Sequence, residues 1–329
     1  MGFRVAPWWW PLLAAASPVL VPWMMSKNHR FKENREKVEQ LNRERMQAAK
    51  SLPLPALERL ELTVVSEYEH EEGFLGEPGV SYLLRTDQGS LLYDIGFGAQ
   101  HPTFVNNASR LGLTMKGVDA LAISHLHADH MGGVKAQRSR EVAVPAAFGN
   151  AGGKPCYVPD AARAEGFDVW VVQGPEILQG GIASTGPLAR SLYFFGLTEE
   201  QALVARLKGK GLLVLTGCGH PTIEVVLQMV RRISEEPIYA VGGGLHFPVT
   251  AGRGNYGGFQ LQMIVGTGKP WWERVTDEDL TRTIEAIRRE EPKRVLLSAH
   301  DTCDHALRRI TREVGAQVEI LKAGATYRL

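Results

Sequence analysis

One short string, Ser124-His125-Leu126-His127-Ala128-Asp129-His130-Met131-Gly132-Gly133, restricts what this chain can fold into more than any other feature. His125 and His127 are two apart, so in an extended segment both imidazoles leave the same face. Asp129 and His130 follow where the chain turns, and aim at a second point nearby. The string comes directly after Ala120-Leu121-Ala122-Ile123, an apolar run that reads as a short buried strand. Two metal positions can therefore draw on one strand end. With 10 His in 329 residues, the pattern His-X-His-X-Asp-His arises on the order of once in a few thousand shuffled chains. Three imidazoles and a carboxylate this close would repel on protonation without an ion to satisfy them.

The surrounding pattern tells what could carry such a string. Residues 60–67 alternate apolar and polar, and 80–84 with 90–93 form a hairpin around Thr86-Asp87-Gln88-Gly89. A helix is predicted near 103–111. Later strands are predicted at 169–172, 212–215, 238–241, 295–297 and 317–321, with helices at 223–233, 277–289 and 306–314. Strands first, then strands alternating with helices, point to an α/β protein with two mixed sheets flanked by helices. Hydrophobic residues at 44%, charged ones at 22% and 35 Gly suit a folded enzyme with many turns and exclude a disordered or fibrous chain. Lys plus Arg number 37 against 36 Asp plus Glu, so no bulk field draws in nucleic acid. Cys156, Cys218 and Cys303 are odd in number and widely spaced, which argues against a disulfide framework and for a reducing compartment.

The first residues are a different kind of sequence. Residues 5–25 carry no charge, and at ~1.5 Å per residue a helix of that length reaches about the ~30 Å of a bilayer core. Trp8, Trp9 and Trp10 mark one end and Trp23 the other, as interfacial aromatics do, with Lys27, His29, Arg30 and Lys32 following. A membrane anchor over 1–26 is expected, with the catalytic domain on the cytoplasmic side. Pro7, Pro11, Pro18 and Pro22 interrupt the helix, and Ala14 to Ser17 resembles a cleavage site, so a signal removed on export and a buried or partner-binding hairpin remain alternatives. Residues 27–56 read as a charge-rich helix, surface or stalk, ending in a Pro-containing linker at 52–56. Residues 57–329 are left as the catalytic domain.

The string from Ser124 to Gly133 resembles the signature of the metallo-β-lactamase superfamily, as does Tyr93-Asp94-Ile95-Gly96 upstream. A narrower similarity, to a subgroup that includes dihydropterin-ribofuranosylaminobenzene-phosphate synthase-like proteins, is carried by 181–190, by Leu215-Thr216-Gly217-Cys218-Gly219-His220-Pro221, by Gly242-Gly243-Gly244-Leu245-His246 and by Ala299-His300. The resemblance implies the αββα sandwich of that superfamily. It implies a first metal on His125, His127 and His220, and a second on Asp129, His130 and His300. Asp94 would support the metal-binding loop from behind, Asp129 would also orient the attacking hydroxide, and His246 would be a further ligand or substrate contact. Cys218 stands where common members have a bridging Asp, and reads as a soft ligand, a redox-sensitive thiol or a small buried hydrophobe. Asp301 departs from the subgroup pattern after His300, and would accept a hydrogen bond from a ligand histidine or meet substrate.

The implied activity is metal-dependent hydrolysis. Two divalent ions, zinc before iron or manganese, would supply a metal-bound hydroxide to an ester, lactone, amide or phosphoester. The alternatives are an iron-dependent oxygenase or oxidoreductase, for which Cys218 is the suggestive feature, a pterin-type synthase, and a non-catalytic membrane-bound scaffold. Residues 250–273, rich in Gly with Tyr256, Phe259, Trp271 and Trp272, would form an aromatic lid for an apolar small-molecule substrate. The chain could also form oligomers.

Overall fold

The computed structural model describes residues 6–253, 255–256, 259–260, 262–270 and 272–329. Two sheets form its centre. The first runs Thr326–Arg328, Leu60–Ser66, Ser81–Thr86, Gly89–Tyr93, Ala120–Ala122, Pro155–Val158, Asp168–Val171. It is antiparallel up to Gly89–Tyr93 and parallel beyond. The second runs Glu176–Ile177, Ala183–Ser184, Leu203–Leu207, Gly211–Leu215, Ile238–Gly243, Arg294–Leu297, Gln317–Ile320, with Ala56–Leu57 beside Leu203–Leu207. Its last four strands are parallel, because a helix returns the chain after Gly211–Leu215 and again after Ile238–Gly243 and Arg294–Leu297.

Three apolar clusters stack these layers. Leu62, Val64, Tyr82, Leu91, Leu213 and Leu215 interleave between the sheets. On the outer face of the first sheet Leu83, Leu92 and Leu121 meet Phe104 from the helix Thr103–Arg110. On the outer face of the second, Val214, Val241 and Val295 meet the apolar stripes of Ile223–Ile233, Asp277–Arg289 and Asp304–Glu313. Side chains of one strand alternate between these clusters, as the pleat requires. The expected sandwich of two mixed sheets between helix layers is thus the observed architecture. The helix expected at 306–314 begins two residues earlier, at Asp304.

The N-terminal segment corrects the expectation of a membrane span. Residues 6–25 do not make one helix. The chain forms a 3₁₀ turn at Pro7–Trp9, a short helix Trp10–Ala15, and then Ser17–Ala48, which carries Pro22 inside it and continues into the charged residues. No described helix is long and apolar enough to cross a membrane. Prolines interrupt the apolar part, and its helix shares most of its length with a polar one.

That polar part is fastened to the sandwich. Phe31, Val38 and Asn42 are buried along one side of Ser17–Ala48, against the hairpin Leu188–Leu192 and Gly196–Glu200. The Asn42 side chain donates to Ala189 O at 2.9 Å and accepts from Ala189 N at 2.7 Å, as a strand neighbour would. The presumed linker is packed as well: Leu54 is buried, Leu52 N donates to Ile233 O, and Ala56–Leu57 joins the second sheet. Of the expected lid, Gly254, Gly257, Gly258, Leu261 and Trp271 lie outside the described residues, as do the side chains of Asn255, Tyr256 and Phe259.

Replacing Asn42 by Ala leaves the buried N–H and C=O of Ala189 without partners, and should cost about 2 kcal/mol in urea unfolding. Proteolysis should then cut first within residues 17–48. An unchanged midpoint and cleavage pattern would mean that this helix is not held by the pair.

Candidate metal centre

Every candidate ligand leaves the sandwich beyond the carboxyl end of a strand. His125, His127, Asp129 and His130 follow Ala120–Ala122, Cys218 and His220 follow Gly211–Leu215, His246 follows Ile238–Gly243, and His300 follows Arg294–Leu297. Open α/β sheets build their sites at this edge, because the loops there are free to vary while the strands hold them in place. The approach of the loops is close. A Cβ on Gly217 would stand 2.2 Å from Ser124 Oγ, and one on Gly244 would stand 2.5 Å from Asp301 Oδ2 and 2.8 Å from His300 Cε1. Asp94, Thr222 and His246 take positive φ at 62°, 79° and 54°. Such strain in non-glycine residues persists where surrounding contacts over-determine it, and of the five described residues that show it, with Arg140 and Glu291 the others, Asp94 and His246 belong to the site.

The side chains converge on two adjoining points. His125, His127 and His220 offer ligand atoms that all lie within 4.8 Å of one another, and so do Asp129, His130, Cys218 and His300. In the first set His220 Nε2 lies 3.2 Å from His127 Nδ1, and the His125 and His127 ring centres are 4.5 Å apart. In the second, Cys218 Sγ lies 3.0 Å from His130 Nε2 and 3.2 Å from His300 Nε2, with Asp129 Oδ2 3.5 Å from His130 Nε2. The structure thus brings together all six expected ligands, and adds Cys218 to the second set. His246 stands beside them, its ring centre 4.8 Å from that of His220, and could join Cys218 and His220 in a third grouping. Asp301 lies 3.6 Å from His300 Nε2 and 3.7 Å from His246 Nδ1, and accepts the His246 backbone N–H at 3.1 Å.

Buried partners behind the imidazoles decide which nitrogen keeps its lone pair. Asp94 accepts from the Ser124 hydroxyl at 2.7 Å and from its backbone N–H at 2.6 Å. Its Oδ2 also lies 2.7 Å from His130 Nδ1, which must donate, so the lone pair of Nε2 points to Cys218. The Ser124 hydroxyl, its proton given to Asp94, can only accept from His125 Nδ1 at 2.9 Å, leaving His125 Nε2 buried and without a partner. Ser298 does the same for His300: it donates to Glu67 at 2.6 Å and lies 2.5 Å from His300 Nδ1. Gly266 O accepts from His220 Nδ1 at 3.2 Å. Lone pairs from several strands therefore face inward with their other nitrogens tied down, the arrangement that metal-ligating histidines have. The orphaned His125 Nε2 and the mixed imidazole, carboxylate and thiol donors fit first-row divalent ions.

Charge divides the ligands: burial disfavours the charged form of His130 too, but Cys218, Asp129 and Asp94 outweigh it and hold this one imidazole well above the ordinary histidine pKa. Burial, and then the neighbouring imidazoles, hold His125 and His220 well below the ordinary histidine pKa. Burial takes His127 and His300 down to about 4. For Asp129 burial works in the opposite direction but is outweighed by His130 and then His300, so this carboxylate stays ionised. Burial raises Asp94. Burial also lifts Glu67 and Glu200 to about 7, against the hydrogen bonds they accept.

Glu67, Ser298 and Glu200 were not singled out in the sequence. Glu200 accepts the backbone N–H groups of Gly217, Gly219 and His220 at 3.0, 2.8 and 2.8 Å, and so shapes the loop that bears Cys218 and His220. The one signal available was a carboxylate closing an otherwise apolar strand run, as at Glu67. Phe195, at the turn of the Leu188–Leu192 hairpin, packs its ring 4.6 Å from that of His127. Above the ligands lies a cavity of about 580 Å³ walled by Pro78, Phe97, Val134, Phe195 and Val265.

Residues 75–194 match the family model of the metallo-beta-lactamase superfamily. Among solved structures, a metal-dependent hydrolase of the beta-lactamase superfamily is 19% identical, with 82% of this chain and 98% of that one covered at a TM-score of 0.56. The metallo-beta-lactamase fold protein YhfI from Bacillus subtilis is 16% identical, with 83% and 100% covered at 0.50. No curated protein matches the sequence.

In the metal-free protein, ¹⁵N-histidine NMR should find His127 and His300 titrating near 4 rather than 6.5. Between those values the unfolded chain binds more protons than the folded one. These two groups therefore withdraw stability as pH falls from about 6.5 to about 4, and cost none above it. Titration of either near 6.5 would show that the pocket admits the charged ring.

The string at 124–133, the converging side chains and the shared fold make this chain similar to the metallo-β-lactamase superfamily, whose family model it matches over residues 75–194.

Proposed function

We propose that the chain is a metal-dependent hydrolase with two divalent ions, His125, His127 and His220 holding one and Asp129, His130, Cys218 and His300 the other. The observation that carries this reading is the pair of adjoining ligand sets beneath one open cavity. Ions bound there lower the pKa of water towards neutrality and polarise a substrate oxygen. The chain's own residues do the rest. Asp129, kept ionised, would orient the attacking hydroxide as well as hold the ion. His246 has neither ring nitrogen partnered among the described residues, and it lines the cavity where a carbonyl, phosphoryl or leaving-group oxygen would lie. Phe97, Phe195 and Val265 exclude water from an apolar part of the substrate. An ester, lactone, amide or phosphoester centre suits this arrangement, with zinc the ion that the donors favour first.

Elemental analysis of protein purified with its native metal should find about two ions per chain, and turnover of a lactone, carboxylic ester or phosphodiester should fall at least about 100-fold in His127→Ala. An intact metal protein that hydrolyses none of these would overturn the reading in favour of a scaffold, and oxygen uptake with bound iron would favour an oxidoreductase. In cobalt-substituted protein a sulfur-to-cobalt charge-transfer band should be present and vanish in Cys218→Ser. A band that survives the substitution, or was never there, removes the thiol from the second ion.

Location is part of the same reading. Trp8, Trp10, Val19, Trp23 and Met25 are exposed on the N-terminal segment, and no Asp or Glu precedes Glu33 while Arg4, Lys27, Arg30 and Lys32 do. Apolar side chains with an unopposed basic flank suit an anionic lipid surface, along which the segment would lie without crossing. Flotation with phosphatidylserine vesicles should carry the protein up, and a Trp8→Ala, Trp10→Ala, Trp23→Ala variant should stay behind. Equal recovery of both would dismiss the lipid contact.

A further inference from the structure

Beside the metal ligands opens a second cavity, of about 400 Å³, that shares His220, His246 and Gly266 with the first. A molecule that reaches the ligands can therefore extend into either. The two differ in chemistry. Where the first is walled mainly by apolar side chains, with Gln137, Arg138 and Gln262 among them, the second is lined by Arg190, Lys269, Arg282 and Arg289, against only Glu224 and Asp279.

Most of these charges are already engaged. Asp279 accepts from Lys269 at 2.5 Å, from Arg282, and from the Thr276 backbone and hydroxyl that it caps. Glu224 accepts from the Thr283 hydroxyl at 2.7 Å, and Arg289 lies 4.0 Å from Glu285. Arg190 is the exception. Its Nε is buried and has no hydrogen-bond partner among the described residues. Burial, and then the nearby Arg35, hold its pKa below the ordinary value, with Glu224 and Asp279 too weakly placed to offset them.

A buried guanidinium nitrogen without a partner among the described residues is costly, and the fixed fork of donors to which it belongs matches an oxyanion. Its setting is built. Arg190 stands on the hairpin strand Leu188–Leu192, whose neighbouring residue Ala189 is clasped by Asn42. Gly268, at φ +64°, comes so near that a Cβ there would sit 2.3 Å from Arg190 Nε, so the loop leaves the guanidinium only a glycine's clearance. The helix Ile223–Ile233 begins on the same cavity, with Thr222 at its N-cap making no side-chain cap and the first turn turned towards the opening. Its N–H groups add positive potential to the same space.

We propose that Arg190, with the start of Ile223–Ile233, forms an anion subsite beside the metal centre, which takes a phosphate or carboxylate group of the substrate some way from the bond that is cut. The assignment of that anion to a substrate rests on the hydrolase reading above; the binding of an anion at Arg190 does not. The substrate class that follows is an amphiphile: an apolar arm against Phe97 and Phe195, a hydrolysable centre over the ligands, and an anionic arm on Arg190.

Crystals of the metal-loaded protein soaked in tungstate should show an anomalous peak within hydrogen-bond reach of Arg190, absent in Arg190→Met. Density at the metal ligands alone, or an adventitious ion only, held elsewhere on the surface, overturns the subsite. Chromogenic esters that differ only in a tail ending in carboxylate, phosphate or neutral amide should be distinguished by the wild type, and the preference in kcat/KM for a charged tail should fall roughly tenfold or more in Arg190→Met and return in part in Arg190→Lys. The better of the two charged tails identifies the natural group. Hydrolysis of all three tails at equal efficiency overturns the subsite while the hydrolase reading stands. Tungstate on Arg190 with no ester hydrolysed leaves the subsite and removes the hydrolase. Arg190→Met should melt no lower than the wild type in the absence of anion, because it removes an unpaired charge; a clear fall would make Arg190 a structural residue and end the proposal.

Discussion

Several imidazoles must stay neutral, dry and aimed at common points, and most of the structure answers to that requirement. A histidine in water titrates close to neutral pH, and crowding several together raises the repulsion between any rings that are charged. Here burial lowers the pKa of His125, His127, His220 and His300, while Cys218, Asp129 and Asp94 hold His130 above the ordinary value against burial, and a donor-acceptor relay stands behind His125, His130 and His300. Asp94 serves His130 directly and His125 through Ser124, while Glu67 serves His300 through Ser298. Each relay ends on a carboxylate at the far side of the ring from the ligand point, so the electron pair is directed before any ion arrives.

The two-sheet architecture makes this possible at tolerable cost. Glu67 directly follows a strand of the first sheet and the serine it contacts follows a strand of the second, so a single buried carboxylate ties the two sheets together at the edge where the ligands emerge. Glu200 performs the matching task for the loop after Gly211–Leu215 by accepting three backbone N–H groups. Buried carboxylates are expensive to desolvate, and hydrogen bonds offset part of that expense. Stacked apolar clusters on both faces of each sheet supply the stability against which such strained and polar groups can be kept.

Much of this was legible in the residue order, and the reason is local. The string at 124–133 holds four of the expected ligands within one turn of chain, and helices such as Ile223–Ile233 and Asp277–Arg289 declare themselves through their apolar stripes. His220 and His300 were reachable through resemblance and through the apolar runs before them. Cys218 was not decided, because a small buried thiol and a ligand thiol look the same until their neighbours are known. Glu67, Ser298 and Glu200 were invisible for a related reason: the roles of Glu67 and Glu200, and of Ser298 as the link from Glu67 to His300, depend on a partner more than a dozen residues away. The apolar start of the chain misled in its own way, since hydrophobicity without charge over residues 5–25 suggested a span while the prolines divided it.

The hairpin Leu188–Leu192 and Gly196–Glu200 joins three things that a sequence keeps apart. Its first strand is clasped by Asn42 and carries Arg190, its turn rests on Trp23 and Met24 through Phe194 and Tyr193, and Phe195 at the same turn covers His127. Anyone who shortens this protein ahead of residue 50 to ease its production would thus strip the backing from a wall of the reaction chamber. The shortened form would resemble the parent in its core and differ from it as a catalyst.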